Sequence, residues 1–166
     1  MPRLHLILLF STICFAGFSQ NKLKKIISFA DEQYEQGDYY YALEYYRKAL
    51  EKDSNSLELM WKYAETEKAY KNYVEAQKYY AKVYAREQTK IYENSLLNLG
   101  MMQKQNGNYD QALKTFKLSV KKLAEKNNSW VLKKSKRMVE STKWAIENKN
   151  DNPDSLVHLP LTVNSY

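Results

Sequence analysis

The chain has 166 residues, of which 44% are hydrophobic and 27% charged, and it carries a formal net charge of +7. That length suits one domain of modest size, and the balance of apolar and charged residues excludes general disorder. The single cysteine, Cys14, and the two histidines, His5 and His158, all lie near the ends, so the central region lacks the residue types that build a zinc site or a nucleophile and base pair; neither an enzyme nor a bound cofactor is expected.

Residues 1–19 come first in chain order. Arg3 precedes an apolar run from Leu4 to Phe18 that holds no acidic residue and ends near the small residues Gly17 and Ser19. This run is short for a membrane span, and its layout is that of a secretory signal cleaved before Gln20. A lipoprotein signal acylated at Cys14 competes with this reading, although Ser11, Thr12 and Ile13 make a poor lipobox ahead of it. Cleavage before Gln20 would leave a chain without thiol or disulfide chemistry. The expected location is the periplasm, reached across the inner membrane, with outer-membrane association.

The stretch Gly37–Leu50, GDYYYALEYYRKAL, then returns twice. Gly37, Tyr39, Ala42, Tyr46 and Ala49 recur 34 residues later as Lys71, Tyr73, Ala76, Tyr80 and Val83. A further step of 36 residues gives Gly107, Tyr109, Ala112, Phe116 and Ser119. Such a period predicts stacked helical hairpins, here six helices in three antiparallel pairs from Asn21 to about Asn128. In the first pair Leu23, Ile26, Ile27, Ala30 and Tyr34 recur at helical spacing, and the second helix runs from Tyr39 to near Lys52. Gly37 and Gly107 suit left-handed helix ends; in the second hairpin Asn72 rather than Lys71 is expected to take that conformation. Ala42, Ala76 and Ala112 fall where the helices of a hairpin cross, and Tyr46, Tyr80 and Phe116 fill the space between hairpins. Most of the 15 tyrosines are expected on half-buried helix faces.

Extending each copy upstream adds a small residue at one shared place (Ala30, Ala64, Gly100) and an apolar residue four earlier (Ile26, Met60, Leu96). With these positions in register the chain resembles the tetratricopeptide repeat, departing from it where a proline often closes each repeat: Ser54, Gln88 and Ala124 stand there. The resemblance implies an all-α, right-handed superhelical solenoid of three repeats, at about 23–56, 57–90 and 93–126, within a domain spanning 20–128. It also implies that the first helix of each pair lines a concave groove. The candidate groove residues are Ile27, Asp31, Tyr34, Trp61, Glu65, Lys68, Leu97, Met101 and Lys104, with Lys24, Glu58 and Asn94 at further positions. Ile27, Trp61, Leu97 and Met101 as a floor, with charges of both signs at the rim, suit an amphipathic or extended peptide from another protein. Family members that clamp a C-terminal carboxylate use basic and amide residues where Ile27, Asp31, Trp61 and Glu65 stand here, so that mode is not expected.

Positive charge gathers late in the chain. From Gln111 to Lys149 eleven basic residues face three acidic ones. Behind a secretory signal this points away from nucleic acid and toward a solvated helix face or an anionic lipid, polysaccharide or protein surface. Lys133, Lys134, Lys136 and Arg137 form the candidate patch, so an electrostatic adaptor is the alternative to a groove-based scaffold. Ser129 reads as an N-cap, and Val131, Leu132, Ser135, Met138, Val139, Thr142, Ala145 and Ile146 form one stripe of a helix over 129–149 that would cap the stack. The tail 150–166 alternates apolar residues around Pro160. Together Lys143-Trp144-Ala145-Ile146-Glu147, the break at Pro153 and Val163-Asn164-Ser165-Tyr166 resemble the junction after the repeat segment in OmpA-family envelope proteins of Bacteroidota, some associated with type IX secretion. That resemblance implies an interaction module of a secretion or outer-membrane assembly, free-standing or the arm of a larger chain.

Overall fold

A computed structural model describes residues 21–87, 91–124 and 129–149. The signal-like segment with Cys14, and the tail 150–166, lie outside the described residues. Seven helices and no strand occur among the described residues: α1 (residues 21–35), α2 (Tyr39–Lys52), α3 (Leu57–Ala69), α4 (Tyr73–Arg86), α5 (Ser95–Gln105), α6 (Tyr109–Leu123) and α7 (Trp130–Glu147). From α2 onward each helix packs on the next, and α7 also reaches back to α5. The result is a solenoid of three hairpins closed by a seventh helix.

The turn inside each hairpin is built three times in one way. Asp38, Asn72 and Asn108 each donate their backbone N–H to the carbonyl five residues earlier, on Gln33, Glu67 and Gln103, at 2.9 Å in all three. Gly37, Lys71 and Gly107 donate to the carbonyl three residues earlier at 3.0–3.1 Å. This pair of bonds closes a helix only if the residue between has positive φ. Gly37 (79°) and Gly107 (78°) meet that condition freely, and Lys71 (66°) meets it at a steric cost. The expectation that Asn72 would be left-handed is therefore wrong. Asn72 has φ −83° and serves as the N-cap of α4, its side chain accepting from Glu75 N at 3.5 Å. One residue cannot be both the left-handed close of one helix and the negative-φ N-cap of the next. Ser129 sits at the N-cap of α7 as expected, but its side chain makes no capping bond.

The crossing alanines Ala42, Ala76 and Ala112 are fully buried, as are Ala30 and Ala64. Gly100 takes the place of Ala30 and Ala64 in the third hairpin for a reason particular to that hairpin. A Cβ there would stand 2.6 Å from Phe116 Cε1. The core runs along the stack in three clusters: α1 to α3 with Val83, then Ala64, Ala76, Tyr80, Leu96 and Met102, then α5 and α6 against Val131, Leu132 and Val139 of α7. The stripe expected on α7 faces this last cluster, and inside it Ser119 and Ser135 share a buried hydrogen bond of 2.8 Å.

Candidate peptide groove

Between the first two hairpins lies a cleft of about 410 Å³ lined by Asp31, Tyr34, Glu35, Tyr46, Trp61, Lys62 and Glu65. The repeat geometry makes it. Asp31 and Tyr46 are separated by 15 residues across one hairpin, as are Glu65 and Tyr80 across the next. In each case the tyrosine hydroxyl donates to the carboxylate, at 2.6 Å from Tyr80 to Glu65. The following hairpin adds a second donor to each acid. Lys62 Nζ lies 2.7 Å from both oxygens of Asp31, and Asn98 Nδ2 lies 2.9 Å from Glu65. Lys68 completes the set around Glu65 through an ion pair. Asp31 and Glu65 thus join neighbouring hairpins as well as lining the cleft.

Burial raises the Tyr46 and Tyr80 hydroxyls well above the usual phenol range, with Asp31 and Glu65 adding to the effect, so both remain donors at any physiological pH. Tyr34 is raised by burial first and then by Glu65, Tyr39 and Glu35. The negative field of the cleft acts on that hydroxyl. Trp61 stacks on Tyr92 with ring centroids 4.9 Å apart and meets Tyr80 edge-on at 5.4 Å. Tyr92 belongs to the connection between α4 and α5, the stretch that carries the two extra residues of the longer repeat interval.

Comparison of the sequence with protein-family models and with curated proteins returns no match. Solved structures do resemble this one. The Sgt2 TPR domain of Aspergillus fumigatus superposes with a TM-score of 0.60 at 20% identity, over 84% of this chain and 89% of that one. The type III secretion translocator chaperone SycD of Yersinia enterocolitica gives 0.65 at 18% identity, over 77% and 88%. The second TPR domain of human RPAP3, solved in complex with the HSP70 peptide SGPTIEEVD, gives 0.60 at 18% identity, over 75% and 98%. The fold is that of a tetratricopeptide repeat domain.

Within this fold the expected groove residues divide. Asp31, Tyr34, Trp61 and Glu65 come together in the cleft. Ile27 packs beside them at the edge of the first core cluster, and Lys68 holds Glu65. The third-hairpin residues do not join them. Leu97 is only 1% exposed and belongs to the core between α5, α6 and α7, so it cannot serve as groove floor. Met101 packs against two core clusters, and Lys104 donates to Ser141 of α7 at 3.1 Å. The reason is the seventh helix, which reaches back to α5 and occupies the side that would have continued the groove. Glu35, Tyr46 and Lys62 line the cleft without having been singled out for it. For Lys62 the signal was present in the repeat itself, because Lys62 and Asn98 occupy one position of successive repeats.

The four cations of the candidate basic patch also divide. Lys133 and Arg137 stand exposed on the outer side of α7, Lys136 turns toward α6 beside Lys117, and Lys134 is half-buried on the opposite flank. Residue spacing along one helix, and not proximity in sequence, decides which of them act together.

Proposed function

We propose that this domain is a non-catalytic interaction module that holds a peptide segment of another protein in the cleft between its first two hairpins. The observation that carries the reading is the lining of that cleft: the accessible rings of Tyr34 and Trp61, with the carboxylates of Asp31, Glu35 and Glu65 outnumbering the cations Lys62 and Lys68 that pair with Asp31 and Glu65. Aromatic faces and carboxylates recognise a segment that combines apolar and basic side chains, through burial, cation–π contact and charge pairing. The peptide bound by the human RPAP3 domain carries adjacent glutamates. The cleft of this chain has the opposite charge preference.

The setting we assign is the bacterial envelope, supported by the signal-like residues 1–19 and by the likeness of the junction after α7 to Bacteroidota envelope proteins. The type III secretion chaperone SycD, of the same fold, is solved in complex with a peptide of the translocator YopD, which accords with a role in secretion. The experiment is selection from a displayed peptide library, followed by titration of the selected peptides. Selected sequences should be enriched in lysine or arginine beside aromatic or aliphatic residues. Trp61→Ala and Glu35→Lys should each weaken them by about tenfold, roughly 1.4 kcal/mol, with helix content unchanged. Enrichment of acidic peptides, or equal binding by both variants, would reject the assignment.

A further inference from the structure

The outer side of α7 carries two of the most exposed large side chains among the described residues. Trp130 is 63% exposed and Trp144 is 66% exposed. At 3.6 residues per turn Trp130, Lys133, Arg137 and Trp144 fall within an arc of about 60°, opposite the buried Val131, Leu132, Ser135, Val139 and Thr142. The two indoles stand about 21 Å apart along the axis, with Lys133 and Arg137 between them. Glu140 at the edge of this ridge is paired with Lys143 at 3.1 Å, which partly offsets the nearest carboxylate. Exposed Lys114, Lys117 and Lys121 of α6 keep the neighbouring surface positive.

From this arrangement we infer that the outer ridge of α7 docks the protein on an anionic lipid surface. Indole rings favour the headgroup level of a bilayer, where one edge is apolar and the N–H stays hydrated, while lysine and arginine between them pair with headgroup phosphates. A protein or polysaccharide partner would use the cations equally well. Two outward indoles at one height on a rigid helix favour the flat, half-apolar boundary of a membrane. None of the described helices is long and apolar enough to cross a bilayer, so the contact is one of lying on the surface. It is independent of the peptide cleft, which lies at the other end of the stack.

The test uses the full chain, with the Trp130→Ala/Trp144→Ala and Lys133→Glu/Arg137→Glu variants, in sedimentation with phosphatidylglycerol–phosphatidylcholine vesicles. The apolar run Leu4–Phe18 is common to all three proteins, so their differences read the ridge alone. Each double variant should bind roughly tenfold more weakly or worse, and wild-type binding should fall across a salt series from about 0.05 to 0.5 M. In a Trp61→Phe background, acyl chains brominated near the headgroup should quench the remaining tryptophan emission. Unchanged binding by the variants, or emission that bromolipid leaves untouched, overturns the inference. Wild-type capture by dextran sulfate without vesicle binding would assign the ridge to a soluble polyanion. Emission already shielded from acrylamide without lipid would show that other parts of the chain cover it.

Discussion

The second and third hairpins solve the same packing problem in two ways. Glu65 of α3 and Met101 of α5 hold one repeat position, and Tyr80 and Phe116 hold its counterpart across the hairpin. In the second hairpin the contact is a hydrogen bond from a fully buried tyrosine to a carboxylate that also accepts from Asn98. In the third, a methionine packs at the edge of the cluster that holds the buried phenylalanine. The exchange is paired: where the acid is lost the hydroxyl is lost too, so neither hairpin strands a buried donor. The polar version leaves charge at the surface and forms part of a cleft; the apolar version lies against α7. Function, on this reading, sits where the repeat is polar.

Swapping one residue at a time between the two hairpins tests that comparison. Glu65→Met should have the largest effect, because it leaves the buried Tyr80 hydroxyl and Asn98 amide without an acceptor, at a cost of about 3 kcal/mol in chemical denaturation. Adding Tyr80→Phe should recover at least about 0.5 kcal/mol as a coupling term, and strict additivity would break the paired account. Gly100→Ala comes next. The position tolerates alanine in the second hairpin as Ala64, yet here the new Cβ meets the fully buried Phe116 ring, so overpacking should exceed the gain in helix propensity by about 1 kcal/mol. A more stable Gly100→Ala protein would mean that Phe116 can shift, and that the two hairpins pack alike after all.

The smallest effect is expected at Glu67, whose counterparts in the first and third hairpins are Gln33 and Gln103. Burial raises its carboxyl above the usual range, against hydrogen bonds from Tyr63 and Asn72 that favour the charge, and Oε2 has no partner. A carboxyl raised in the folded state costs nothing below its unfolded value, about 4.3, where both states hold the proton. Its cost grows as pH rises through the folded value and then levels off. Glu67→Gln should therefore raise the Tm at neutral pH and lose that advantage as pH falls toward 4. An advantage independent of pH would trace the gain to packing and not to charge.

The amino-acid sequence by itself determined the scaffold: the period, six repeat helices, the crossing alanines, the inward stripe of α7 and the glycine-closed turns. The helices, the stripe and the turns depend on residues within a turn or two of one another, where spacing reports backbone geometry directly, and the period and crossing alanines recur at steps of 34 and 36 residues. Tertiary structure decided the rest. Asp31 receives Lys62 and Glu65 receives Asn98 across 31 and 33 residues, distances over which no local pattern names the partner. The fate of the third-hairpin groove residues rested on how far α7 reaches back over α5, which buried Leu97 and tied Lys104 to Ser141. Lys71 became left-handed because Asn72 was needed to start α4. Lys133, Lys134, Lys136 and Arg137, neighbours in sequence, separated because a helix turns by about 100° per residue and its neighbours cover only part of its circumference. Periodicity places residues on a face, whereas the packing of distant elements decides whether that face is core, cleft or open surface.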